Sequence, residues 1–478
     1  MRSEKNPGTS EKEKKTERPE DKALLLETEK LSRLLPSYCI PALASSLVTS
    51  VYNIVDQLFI GNVLGTVGNA ATGVVFPVIT LISALSLMCG VGSSNAMNIQ
   101  RGKGDPEKAA RCVGGGFGLM LICALIVTLP MLLWTNALLR FFGCTESVLP
   151  YAADYARIIA LSFVFAVIGA AGPFIIRADG APRFALACIV VGSLSNVLMD
   201  GLFIYGFGWG IRGAALATLI AEGIGAGMVV CYMLRRFSAC PLSAKAFRPE
   251  AGVYAKIAAI GAGPAFNFAT QAMVQVILNN ALKVYGADTA YGSDICLAVA
   301  GVAGKVNTLA VGMVVGLTNG LQPISSYNFG KKNYRRVAEA GKMVVKVVLA
   351  LGCVIFLCYQ LFPGQIAACF GEGAPLSREF AGYYFRIFYL LIPLFGLQSS
   401  VAGFFSSQGK VAQSITISLV RQVLFFPPLL ILLPKVMGIW GVLWSGPGAD
   451  LAMAVVAGVL FRRELVKLEG KTGDGSLS

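Results

Sequence analysis

Apolar residues run through this chain in blocks of about twenty or more, the length that crosses a bilayer as a helix. Short polar stretches separate the blocks. The pattern predicts twelve spans, at roughly 37–62, 70–100, 112–137, 152–177, 184–207, 211–235, 253–284, 293–326, 338–362, 380–407, 412–436 and 438–461. The ten-residue alternating segments of a membrane barrel do not occur. Many spans contain Gly, Pro, Ser and Asn, which suit helices that pack closely or line a cavity.

The spans repeat. Gly73 pairs with Gly301, Gly92 with Gly320, Gly102-Lys103 with Gly330-Lys331, and Gly210-Ile211 with Gly438-Ile439, all at one offset (301 − 73 = 228). Glu222 and Asp450 share that offset, and Gly180 and Gly409 miss it by one (409 − 180 = 229). An offset held over six spans predicts two six-helix bundles as parallel repeats around a central cavity, an architecture used mostly by transporters. The expected fold is therefore an all-α polytopic membrane protein. Residues 1–34 read as a disordered cytoplasmic tail with room for a short surface helix at its end, 35–237 as the N-lobe, 238–252 as a cytoplasmic linker, 253–465 as the C-lobe and 466–478 as a second tail. Positions 1–34 lack an apolar stretch and a cleavage site, so a signal peptide is not expected.

Composition agrees with this class. Hydrophobic residues make up 55% of the chain and charged residues 14%, with mean hydropathy +0.67; a soluble domain carries about 25% charge. The net charge of +14 comes from short loops. Arg101, Lys103, Lys108 and Arg111 follow the second span; Arg235, Arg236, Lys245 and Arg248 follow the sixth. Lys331, Lys332, Arg335 and Arg336 follow the eighth, and Arg462 and Arg463 the twelfth. This is a topology signal, not a nucleic-acid face, and it places both termini in the cytoplasm. The twelve cysteines mostly fall in apolar blocks without metal spacing and read as small buried hydrophobes. With no histidine, proton chemistry falls to carboxylates.

Asp56 lies within the first span, where a carboxylate costs roughly 2.5–3.5 kcal/mol. Asn196 and Asp200 share one face of the fifth span at i,i+4, and Thr218 adds a hydroxyl from the sixth. Convergence of these four would make an all-oxygen site that suits a hard cation such as Na⁺. Equally, two neighbouring carboxylates cannot both ionise cheaply, so the site would hold a proton. The second half lacks the set: at the repeat offset Val284 aligns with Asp56, and Leu424 and Pro428 fall near Asn196 and Asp200. Its own polar residues are Asn267, Gln271, Gln275, Asn279 and Asn280 on the seventh span and Lys305 and Asn307 on the eighth. Gln271, Gln275 and Asn279 form a stripe that is either a cavity wall or interhelical glue. Tyr52, Asn53 and Lys305 join the stripe as candidate cavity residues. Arg421 reads as an interface anchor, and Glu222 with Asp450 as a symmetric packing or gating pair. Gly102-Lys103-Gly104 and Gly330-Lys331-Lys332 read as helix-ending turns, not phosphate loops.

Several stretches together resemble the multidrug and toxic compound extrusion family: Val55-Asp56-Gln57-Leu58-Phe59-Ile60-Gly61, Arg177-Ala178-Asp179-Gly180, Asn196-Val197-Leu198-Met199-Asp200 and Gln322 to Gly330. The resemblance covers roughly residues 36–465. It implies a drug/cation antiporter with two lobes, in which Asp56, Asn196, Asp200 and Thr218 form the N-lobe sodium or proton site. One branch of the family has an acid in the seventh span, where this chain has Gln271, so the chain resembles the branch that runs on the N-lobe site alone. The expected function is secondary active efflux of organic cations or drugs across the plasma membrane in exchange for Na⁺ or H⁺. The protein would act as a lipid-embedded monomer, without a cofactor, enzymatic activity or a nucleic-acid partner. The alternatives are a flippase for lipid-linked precursors, which needs a strongly cationic cavity, and a non-transporting receptor or scaffold.

Overall fold

The computed structural model describes residues 19–369 and 374–474. Among them every regular element is a helix: α1 Pro19–Thr28, α2 Leu31–Gly102, α3 Pro106–Leu133, α4 Thr135–Phe141, α5 Leu149–Ala178, α6 Pro182–Asp200, α7 Gly210–Arg235, α8 Ala251–Ala287, α9 Gly292–Gly330, α10 Tyr334–Leu361, α11 Pro363–Cys369, α12 Pro375–Tyr383, α13 Ile392–Ser407, α14 Val411–Leu419, α15 Phe426–Met437 and α16 Ile439–Asp474. Among the described residues, ten segments are long and apolar enough to cross a membrane, and eleven if the bent pair around Tyr389–Leu391 counts as one. α8 has 37 residues, but its Asn and Gln side chains lower its hydropathy.

α2 contains two spans, Leu31–Asp56 and Ala70–Gly102. They run in opposite directions along α9. Cys39 and Leu43 lie against Gly320 and Gly316, and the Ser50 hydroxyl donates to the Thr308 carbonyl. In the return span, Asn95 donates to Gln322 at 3.3 Å, and Gly102 meets Tyr327 and Gly330. The first span is thus antiparallel to α9 and the second parallel to it.

These contacts join the two lobes, and glycine permits them. A Cβ on Gly92 would stand 2.1 Å from the Ile257 carbonyl oxygen, and one on Gly261 2.0 Å from that of Met88. On Gly102 it would stand 2.1 Å from the Tyr327 oxygen, and on Gly330 2.2 Å from the Ile99 oxygen. The seam runs from the middle of these helices to the end that carries the Arg- and Lys-rich loops, here called the basic end. It is itself two-fold: Gly92 on Ile257 mirrors Gly320 on Cys39, and Met88 on Gly261 mirrors Gly316 on Leu43. In these pairs the second spans keep the offset of the sequence repeat, whereas the first spans are closer, since 257 − 39 and 261 − 43 both give 218. The connection after the first span of the second lobe is therefore longer, by the difference between the two offsets. The sequence-based pairing of Asp56 with Val284 is corrected accordingly: its counterpart is Val274, a buried core residue.

The turns at the basic end repeat as well. Asp105 caps α3 by accepting from the Lys108 amide at 2.9 Å, and Asn333 caps α10 by accepting from the Arg336 amide. The Lys108 side chain and amide hold the Asp105 carboxyl below the usual carboxylate range. Gly104 just before the first cap has φ +76°, and its counterpart Lys332 has φ +64°. These are helix-ending turns, as expected.

Two expectations about the ends change. Residues 19–28 are helical, and Leu26 is buried in the C-lobe core; residues 1–18 lie outside the described residues. α16 continues to Asp474, with Leu468 buried and Lys342 bonded to Glu469 at 2.6 Å; residues 475–478 lie outside the described residues. Three cysteines also depart from the buried reading, since Cys231, Cys353 and Cys358 are exposed.

Two outcomes are expected. Gly92→Val, in a chain keeping Cys39 alone among its cysteines, forces the seam apart, so a thiol reagent labels Cys39 faster than in the parent; an unchanged rate refutes the close approach. Lys332→Gly relieves a left-handed backbone worth about 1 kcal/mol and raises the unfolding midpoint in detergent.

Candidate functional site

The fifth and sixth spans and the outer part of the first bring four predicted side chains together. Asp200, at the last turn of α6, is fully buried, and its carboxyl faces that of Asp56 on α2. With the Asn196 amide turned so that its nitrogen meets an acceptor, it donates to Asp200 Oδ2 at 2.8 Å. The Asn196 carbonyl then lies 3.3 Å from the Thr218 hydroxyl and 3.2 Å from the Thr218 amide. Asn196 is 1% exposed, so this bridge forms away from water. Oδ1 of Asp200 has no hydrogen-bond donor among the described residues.

Layers above and below define the pocket. One turn beyond Asp56, Asp200 and Thr218, away from the basic end, Phe59, Ile204 and Ala214 pack together. The Phe59 ring meets Tyr205 edge-on at 5.7 Å. This apolar layer caps the acids. Directly after Asp200 the chain takes a π-helical turn over Gly201–Gly206; such bulges re-aim side chains within a helix. On the basic-end side, Tyr52 lies one turn from Asp56, within electrostatic reach of Asp56, Glu222, Tyr155 and Asp200. Tyr155 of α5 stands beside both aspartates. Sequence reasoning missed Tyr155; its signal was a tyrosine within the fourth span. Two facing carboxyls, an amide and a hydroxyl can share a proton, or surround a small hard cation with oxygens.

The remaining candidates do not gather there. Gln271, Gln275 and Asn279 lie exposed along α8, with Gln275 donating to Asn279 at 3.0 Å. Asn53 is exposed on α2. Lys305 is exposed on α9 and forms no ion pair among the described residues.

Arg421 corrects a prediction. It does not anchor at the membrane surface. It is 13% exposed and bonds Asp450, itself 6% exposed, at 2.7 Å. Its guanidinium also stacks 4.9 Å from the Phe395 centroid and 5.6 Å from that of Phe426. The C-lobe therefore neutralises its deep acid internally. At the basic end, Asp179 accepts from the amides of Ser238 and Ala239 and from the Tyr232 hydroxyl. It pins the start of the inter-lobe linker to the N-lobe.

Comparison with known proteins gives one consistent picture. The MatE family model matches residues 41–202 and 253–431. The multidrug export protein MepA of Staphylococcus saprophyticus is 22% identical over 425 residues, covering 88% of this chain and 91% of that protein. A crystal structure of MATE in complex with MaL6 superposes with TM-score 0.87 at 21% identity, covering 94% of this chain and 99% of that one. An outward-facing multidrug resistance MATE family transporter of the MOP superfamily gives 0.86 at 22%, covering 94% and 98%. The two-bundle, twelve-helix reading of the sequence is in keeping with these structures.

The Arg421–Asp450 pair sets a stability test. Arg421→Leu strands a buried carboxylate and lowers stability by about 3–5 kcal/mol, whereas Arg421→Leu with Asp450→Leu recovers most of it. Thermal unfolding of the purified variants reads both, and equal losses in the two would refute the pairing.

Proposed function

The chain belongs to the MatE family, and from that premise we propose that it is a secondary active multidrug efflux transporter. It exports small organic cations in exchange for Na⁺ or H⁺. The observation that carries this reading is the facing Asp56–Asp200 pair, braced by Asn196 and Thr218 and capped by Phe59, Ile204 and Ala214. Buried facing carboxyls require one positive charge between them. A proton or a sodium ion supplies it, and either is the natural coupling ion. The multidrug export activity named for the MepA relatives supports the substrate class.

The excess of Lys and Arg at the basic end supports a cytoplasmic position for the seam, in a plasma-membrane protein with both termini in the cytoplasm. The conformation described then faces outward: the glycine seam closes the inner side while the coupling ion approaches from outside. Ion binding favours the exchange of one closed side for the other, and the organic cation is taken up from the cytoplasmic side. Coupling needs only that ion and substrate favour different states. The transporter works as a monomer, since each chain holds both lobes.

Proteoliposomes with separately imposed sodium and pH gradients test the assignment. Asp56→Asn and Asp200→Asn each remove a coupling free energy of about 1–3 kcal/mol, which is about 5–150-fold in ion-driven ethidium efflux. Full gradient-driven efflux in both variants refutes the site.

A further inference from the structure

Glu222 is the acid that the two-fold repeat leaves unmatched. Its counterpart in the second lobe, Asp450, is bonded to Arg421. At the offset that separates Gly180 from Gly409, Arg421 corresponds to Gly192 (421 − 192 = 229). The structure agrees with that register, because Gly192 lies against Ala221 and Gly225, on either side of Glu222. Where the C-lobe places a guanidinium, the N-lobe has no side chain at all. Glu222 forms no ion pair or hydrogen bond with the described residues, and it is only partly buried.

Its surroundings suit a ligand rather than a packing role. Glu222 lies one turn from Thr218 on the same face of α7, roughly 6 Å nearer the basic end. Tyr52 lies within electrostatic reach of both Glu222 and Asp56. It does not join Asp56 and Asp200 in one three-acid cluster, since no such group is present among the described residues. Against α5, Glu222 Oε2 is 3.2 Å from the Cβ position of Gly169. A carboxylate beside an aromatic ring, against the Gly169 backbone and without a counter-ion among the described residues, matches an organic ammonium or iminium group.

We propose that Glu222, with Tyr52, binds the positive charge of the organic-cation substrate, one turn from the ion pair site and separate from it. This rests on the transport reading above. Asp56 and Asp200 serve the small ion, which fits a sealed pair. Glu222, against the Gly169 backbone, serves the organic cation. In the C-lobe, Arg421 occupies the equivalent place, so substrate charge is read in one lobe only.

The test is equilibrium binding to the purified full-length protein of ethidium, a permanent cation, and of uncharged phenanthridine at alkaline pH. Glu222→Gln weakens ethidium about tenfold or more and leaves phenanthridine unchanged, while Glu222→Asp recovers most of the ethidium affinity. Sodium- or proton-induced tryptophan fluorescence changes persist in Glu222→Gln. Unaltered ethidium binding in Glu222→Gln overturns the proposal, as does an equal loss for both probes, which marks a structural role. A wild-type protein that drives no organic cation in either gradient instead overturns the transport reading itself.

Discussion

A carboxylate inside a membrane needs a positive charge, and this requirement shapes both lobes. The C-lobe meets it from within: Arg421 holds Asp450 and is itself held between Phe395 and Phe426. The N-lobe sets an acid against an acid. Asp56 and Asp200 face one another, and the amide and hydroxyl bracing them donate hydrogen bonds but carry no charge. The two lobes thus hold their deep acids differently. That difference is a broken symmetry, since Asp450 and its N-lobe counterpart Glu222 lie on helices related by the repeat.

The second constraint is steric. The two bundles meet tightly at one end without interdigitating large side chains. Backbone laid on backbone at Gly92, Gly261, Gly102 and Gly330 gives close contact over a small area. Asn95 and Gln322 add one polar link across the same surface. Such a seam is dense without being deep, so it has few side chains to unthread when it parts.

Much of this was legible in the residues. The spans followed from apolar blocks, and the repeat from glycines at a fixed spacing, because a backbone contact that recurs by symmetry requires glycine at both copies. Asp56, Asn196, Asp200 and Thr218 were visible because polar groups at that depth are costly. What escaped was whatever depends on partners distant in sequence. Arg421 looked like a surface anchor until Asp450, a full helix further along the chain, came beside it. Val274 was hidden as the counterpart of Asp56 because the lengthened connection carries no mark of its own. Tyr155 and the Phe59–Ile204–Ala214 layer are ordinary apolar-block residues until three helices bring them to the acids. For the stretch from Pro19 a short surface helix was legible but its docking was not, since that depends on partners far along the chain: the Leu26 carbonyl accepts from Asn328 and Arg336, each at 2.9 Å.

That docking has a practical consequence. The first described helix, α1, lies on the C-lobe, at α9 and α10, and the chain then crosses to become the first span of the N-lobe, whereas α16 stays with the C-lobe as far as Asp474. The two ends of the described chain are therefore mechanically unlike. A fluorophore or fusion partner placed ahead of Pro19 loads the joint between the two lobes and competes with Leu26 for its seat. The same cargo after Asp474 rides on one body alone.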